Sequence, residues 1–152
     1  MAKFAAAGVS GSLTTTIKTA VGVQQPASSL KGRIEMYMLV LSSAATPADS
    51  AIEWIVQKTS TAGTSTAVTP TDVDDASNTA VAAAGQTFTA EPTVVSNTIL
   101  LDMGLNQRSP YTIVLGPGYE WPIANTASRG ISVGAKHPSA TPTVLATAYW
   151  RE

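Results

Sequence analysis

The run AIEWIVQKT, residues 51–59, carries Ile52, Trp54 and Val56 at every second position, with Glu53, Ile55 and Gln57 between them. A period of two sends successive side chains to opposite faces of an extended chain, so the run reads as a strand with one apolar face. Trp54 stands at the centre of that face and is expected in the core. The same period recurs on either side. In RIEMYMLVL (33–41) it places Ile34, Met36, Met38 and Val40 on one face and Arg33, Glu35 and Tyr37 on the other. TILLDMG (98–104) sets Ile99, Leu101 and Met103 against Leu100 and Asp102. RGISVGAK (129–136) alternates Ile131, Val133 and Ala135 with glycine and serine, and TVLATAYWRE (143–152) aligns Val144, Ala146, Ala148 and Trp150. TTTIKTAVGV, TFTA and YTIVL are shorter candidates.

Turn signals fall between these runs: Gln25-Pro26, Thr46-Pro47, Gly63, Thr69-Pro70, Ser109-Pro110, Gly116-Pro117-Gly118 and His137-Pro138. Seven to nine short strands so punctuated predict an all-β chain, an antiparallel β-sandwich or barrel. No segment has a convincing helical period. Residues 71–85 come closest, with Asp72 as a cap and Gly85 as a stop; an irregular loop is the other reading. Residues 60–85, rich in Thr, Ala and Ser, read as a long surface excursion. Residues 1–13 lack alternation and read as a flexible N-terminal arm anchored only by Phe4 and Val9, leaving 14–152 as a single sandwich domain.

At 152 residues the chain has the length of one domain and needs no disulfide or metal to hold a core. It has no Cys, which removes thiol chemistry and Cys-based zinc sites. Only 12% of residues are charged and the net charge is −1, about half the usual charge density. The nine Lys and Arg, Lys31 among them, are scattered, which argues against nucleic acid or anionic membrane as a partner. So neutral a surface suits a protein packed against other proteins. The amino terminus does not read as a secretory signal, and synthesis in the cytoplasm is expected.

The chemistry-bearing residues are few. His137 is the sole His, and between Lys136 and Pro138 it reads as a solvated turn residue rather than a general base. No G-x-S-x-G elbow presents a serine. Glu53, Asp102 and Glu120 could pair for glycoside hydrolysis, but read as isolated surface carboxylates. DVDDASN begins like a calcium loop, with Asp72 and Asp74, yet Ala76 and Ala83 stand where ligands are needed. In LNQRSPYTIVLGPGYEW (105–121), Gly-Pro-Gly is followed by no Gly-Lys-Ser/Thr, so it reads as a tight turn and not a phosphate loop. Arg108 is expected to hold backbone carbonyls or a neighbouring subunit's carboxylate. No catalytic, cofactor or metal residue is expected.

Several stretches together resemble a known family: TPADSAIEWIVQ, TAGTSTAVTP, the TAEPT box, and the LNQR turn followed by a strand and PG. Across residues 32–152 the chain is similar to small capsid decoration (cement) proteins of tailed bacteriophages; the first thirty residues match less clearly. The resemblance implies a jelly-roll β-sandwich that binds the major capsid protein on the outside of the virion. It also implies a structural protein and not an enzyme, with no small-molecule substrate. A homotrimer is expected, since icosahedral shells offer threefold positions. The alternatives are a carbohydrate- or receptor-binding sandwich, with Tyr111, Tyr119 and Trp121 stacking on sugars, or another virion component such as a head-fibre base or tail protein.

Overall fold

The computed structural model describes residues 1–28, 32–43, 46–75 and 77–152, so Lys31 and Ala76 lie outside the described residues. The strands are β1 (Lys3–Val9), β2 (Lys18–Gln24), β3 (Ile34–Ser43), β4 (Ala51–Thr59), β5 (Thr64–Val68) and β6 (Thr71–Asp72). They continue with β7 (Ala83–Ala90), β8 (Val94–Asn106), β9 (Tyr111–Val114), β10 (Trp121–Ile123), β11 (Gly130–Lys136) and β12 (Val144–Arg151). No helix occurs among the described residues. One sheet runs β10-β3-β12-β1-β6, with β9 also paired to β3, and the other runs β5-β7-β2-β11-β4-β8. Every pairing is antiparallel, and both sheets are open rather than closed into a barrel. The twelve strands among the described residues exceed the expected number because β1, β5, β6 and β10 carry too little apolar alternation to be read from sequence.

The alternating runs deliver their apolar faces to one cluster fed by both sheets. From β4 come Ile52, Trp54 and Val56, from β11 Ile131, Val133 and Ala135, and from β12 Val144, Ala146, Ala148 and Trp150, all buried. Two runs change phase midway. In β3 the buried apolar residues are Ile34 and Met36, then Leu39 and Leu41, whereas Met38 and Val40 are only half-buried. Trp150 faces Met36 and Tyr149 faces Met38, which makes Tyr37 an extra residue, a β-bulge that turns the rest of the strand over. The expected face of Met38 and Val40 is thereby corrected. In β8, Leu101, Met103 and Leu105 oppose Val56, Trp54 and Ile52 and point to the core. A register shift then sets Ile99 opposite outward-facing Gln57, and Ile99 is 60% exposed instead of sharing the face of Leu101.

The flexible arm is also corrected. Residues 3–9 form β1, held along its whole length by β12, from Lys3 opposite Arg151 to Val9 opposite Leu145, with β6 on its other side. Phe4, Ala6 and Leu13 are buried, and the Phe4 ring lies 6.1 Å from that of Trp150. Phe4 is a core residue and half-buried Val9 is a strand residue; neither is a free anchor. Alanines hide such a strand because each buries little area and is a poor strand former. The strand gains its stability from its partners. Gly8 permits the approach to β2, since a Cβ there would lie 2.3 Å from the Ala20 carbonyl oxygen.

Residues 60–85 contain β5, β6 and the start of β7 and are not a structureless excursion. Asp72 caps no helix. Its carboxylate accepts the N–H groups of Asp74 (2.9 Å) and Asn78 (3.0 Å) and the Asn78 side-chain amide (2.7 Å). The chain then enters β7 beside Glu152, whose carboxylate accepts the N–H groups of Val81 (2.6 Å) and Ala82 (3.1 Å).

Candidate functional site

The stretch 105–121 is two turns around a strand, as its sequence predicts. Pro117 and Gly118 form a turn closed by the Tyr119 N–H on the Gly116 carbonyl at 2.9 Å, with Gly118 at φ 86°. Positive φ at the residue after Pro is the type II arrangement that favours Gly. Glu120 fastens this turn to the fold. One of its oxygens accepts the Gly118 N–H at 2.7 Å, and the other takes Arg151 Nη2 at 2.8 Å. Arg151 Nε donates to Glu35 at 2.9 Å, and Arg33 donates to the remaining Glu35 oxygen. The Arg33 guanidinium, with Arg151 beside it, holds the Glu35 carboxyl below the usual carboxylate range against the opposing effect of burial. Glu120 is therefore one arm of a charge clamp joining the turn to β3 and β12.

The other two carboxylates do come together. Glu53 and Asp102 line one open cleft on the outer side of β4 and β8, but Glu53 is ion-paired with Lys136 at 2.8 Å. Beside this cleft His137 is buried rather than solvated, correcting the sequence reading. Its Nδ1 accepts the N–H groups of Ser139 (3.2 Å) and Ala140 (2.8 Å), and its Nε2 lies 3.1 Å from Ser50 Oγ. Two donors on Nδ1 assign the proton to Nε2, which then donates to Ser50. A serine nucleophile needs the opposite tautomer. Gln107, also buried, completes the network by donating to Ser50 Oγ and accepting the Ala48 N–H at 3.2 Å. The group pins the 105–110 turn and the 46–50 segment to the end of β11. Sequence spacing could not show it, since Ser50 and His137 are 87 residues apart.

The residues expected to meet a partner divide. Phe4 and Val9 belong to β1 as described. Arg108 is exposed, its backbone N–H bound to Asn106 Oδ1 and its guanidinium without a partner among the described residues. Tyr119 is 78% exposed at the turn, while Trp121 is half-buried against the core. Tyr111 begins β9, at the far end from Tyr119, and no ring contact joins the three aromatics among the described residues. Sequence reasoning missed what lies between them. Strands β8 and β9 are edge strands of different sheets, and Leu101, Met103, Tyr111, Ile113 and Val114 line one open groove where those edges meet. Val114 is 68% exposed.

The 72–78 loop does not assemble a cation site: Asp72 is occupied by amide donors and Asp74 by Lys3 at 3.1 Å. Among the described residues no group of three or more His, Asp or Glu is placed to hold a metal, and no helix is long and apolar enough to cross a membrane. Comparison with protein families, curated proteins and solved structures finds no match to this chain.

Proposed function

We infer that this chain is a structural virion protein that binds the outer surface of a tailed-phage capsid and stabilises it, as a homotrimer and without catalysis. The observation that carries this reading is the open groove where the edges of β8 and β9 meet, lined by Leu101, Met103, Tyr111, Ile113 and Val114, on a chain that also exposes Ile99 and Tyr119 elsewhere. Unpaired apolar edges on a chain with so few charges are what a protein held by other proteins presents. We assign the two sheets to a jelly-roll β-sandwich. That assignment is supported by strand order: β12 lies between β1 and β3, β11 lies between β2 and β4, and the edges are β9 with β10 and β6 in one sheet and β5 and β8 in the other. Repetition over a symmetric shell lets modest contacts at each position sum to firm attachment. The test adds purified protein to heads that lack it and images the particles. Ordered extra density on the shell, with raised resistance of the heads to heat, is expected; bare shells overturn the reading. The exposed Tyr119 and Tyr111 favour a second reading, glycan binding, which a glycan array separates from capsid pull-down.

A further inference from the structure

Of the eight Lys and Arg residues described, five are ion-paired: Lys3, Lys18, Arg33, Lys136 and Arg151. Lys58, Arg108 and Arg129 have no carboxylate within ion-pair distance among the described residues, and the residues outside the description include no Asp or Glu. Two of these three unpaired cations, Lys58 and Arg129, line the same cleft, of about 240 Å³, and no acidic residue lines it with them. In a chain that pairs most of its described cations, this places two positive charges at one cleft with no acidic residue lining it.

The fold explains how both cations reach the cleft. Lys58 stands opposite Ile131, which points into the core, so Lys58 also starts from the inner face of its sheet. It lies one residue from the end of β4, where its long stem can run out to the open end between the sheets. Arg129 immediately precedes Gly130, which is opposite Thr59. Its position is set by a short turn in which Ser128 takes φ 61°, the Ser128 N–H reaches the Gln25 carbonyl at 3.2 Å and the Arg129 N–H reaches the Thr126 carbonyl at 3.1 Å. Val95, Pro122 and Ala124 supply apolar walls, and Thr126 a hydroxyl.

We propose that this cleft is a binding site for a single oxyanion group, carboxylate or phosphate, carried on a short apolar stem. An Arg fork and a Lys ammonium supply charge-assisted donors for the oxygens, and the apolar walls take the stem. The cleft's volume, about 240 Å³, lies just below the roughly 300–1,000 Å³ of pockets for drug-sized ligands and suits a guest such as one acidic side chain or a small free anion. Anion binding at this cleft is a property of the isolated protein, independent of any attachment to a capsid.

The test is an NMR titration of the isotope-labelled protein with N-acetylglutamyl amide, phenyl phosphate and inorganic sulfate, each to about ten times a millimolar dissociation constant. Saturable shifts confined to the amides around residues 58–59, 95 and 126–130 are expected from the first two probes. Sulfate, having no stem, should bind more weakly. Tighter binding of the first probe points to a protein side chain as the natural guest, and tighter binding of the second to a phosphate ester. Lys58→Gln and Arg129→Gln should each weaken binding about tenfold while leaving the rest of the spectrum in place. Absence of saturable shifts at the cleft, or cleft binding unchanged in the double variant, overturns the proposal.

Discussion

Phe4→Ala tests whether residues 3–9 are a core strand. The Phe4 ring is 1% exposed and sits 6.1 Å from the Trp150 ring. Its strand is flanked by β12 and β6, so backbone on both sides limits collapse into the space left by the ring. Removing a buried Phe side chain costs about 3–5 kcal/mol, and restricted relaxation argues for the upper half of that range. For a chain of this length each kcal/mol lowers the melting temperature by about 2–4 °C, so a fall of about 8–20 °C is expected. Urea unfolding followed by far-ultraviolet circular dichroism should show the midpoint falling at unchanged slope, the mark of lost stability without a change in the surface exposed. Deleting residues 2–9 should be more severe still, because β12 would lose one of its two partner strands along seven residue pairs. A Phe4→Ala protein that melts within about 2 °C of the parent would refute the reasoning, since about 1 kcal/mol is too little for a buried ring.

Four further outcomes follow from the same geometry. Glu35, whose carboxyl is held below its ordinary value, contributes stability that is present above about pH 4.3 and is lost as pH falls through its lowered folded value; Glu35→Gln should flatten that acid limb in melts recorded from pH 2 to 6. His137→Ala leaves two backbone N–H groups without their acceptor and should cost about 1–3 kcal/mol in urea titration. Gly118→Ala forces a side chain to φ 86° and should cost about 1–2 kcal/mol, read in the same assay. Asp72→Ala should speed amide exchange at residues 74 and 78 while leaving the melting temperature nearly unchanged, because the carboxylate serves only its own loop.

The all-β class, the inward faces of β4, β11 and β12, and the turn at Gly116-Pro117-Gly118 were legible in the residues alone. These rest on local physics: a period of two and the φ preferences of Pro and Gly are legible within a few residues. Three things needed the tertiary structure. One was strand phase, because a single extra residue at Tyr37, or the register shift before Leu101, exchanges the two faces and leaves no mark in the composition of the run. Another was β1, since Ala5, Ala6 and Ala7 have little preference of their own and become a strand only because β12 supplies the hydrogen bonds and Trp150 the contact for Phe4. The last was the set of long-range polar constellations. Ser50 with His137, Glu35 with Arg151 and Glu120, and Lys58 with Arg129 are joined by strand pairing across 31 to 116 residues where side chains bond directly, and by β4 lying against β11 for the cationic cleft. Sequence separation carries no information about those encounters; the order of strands in the two sheets decides them.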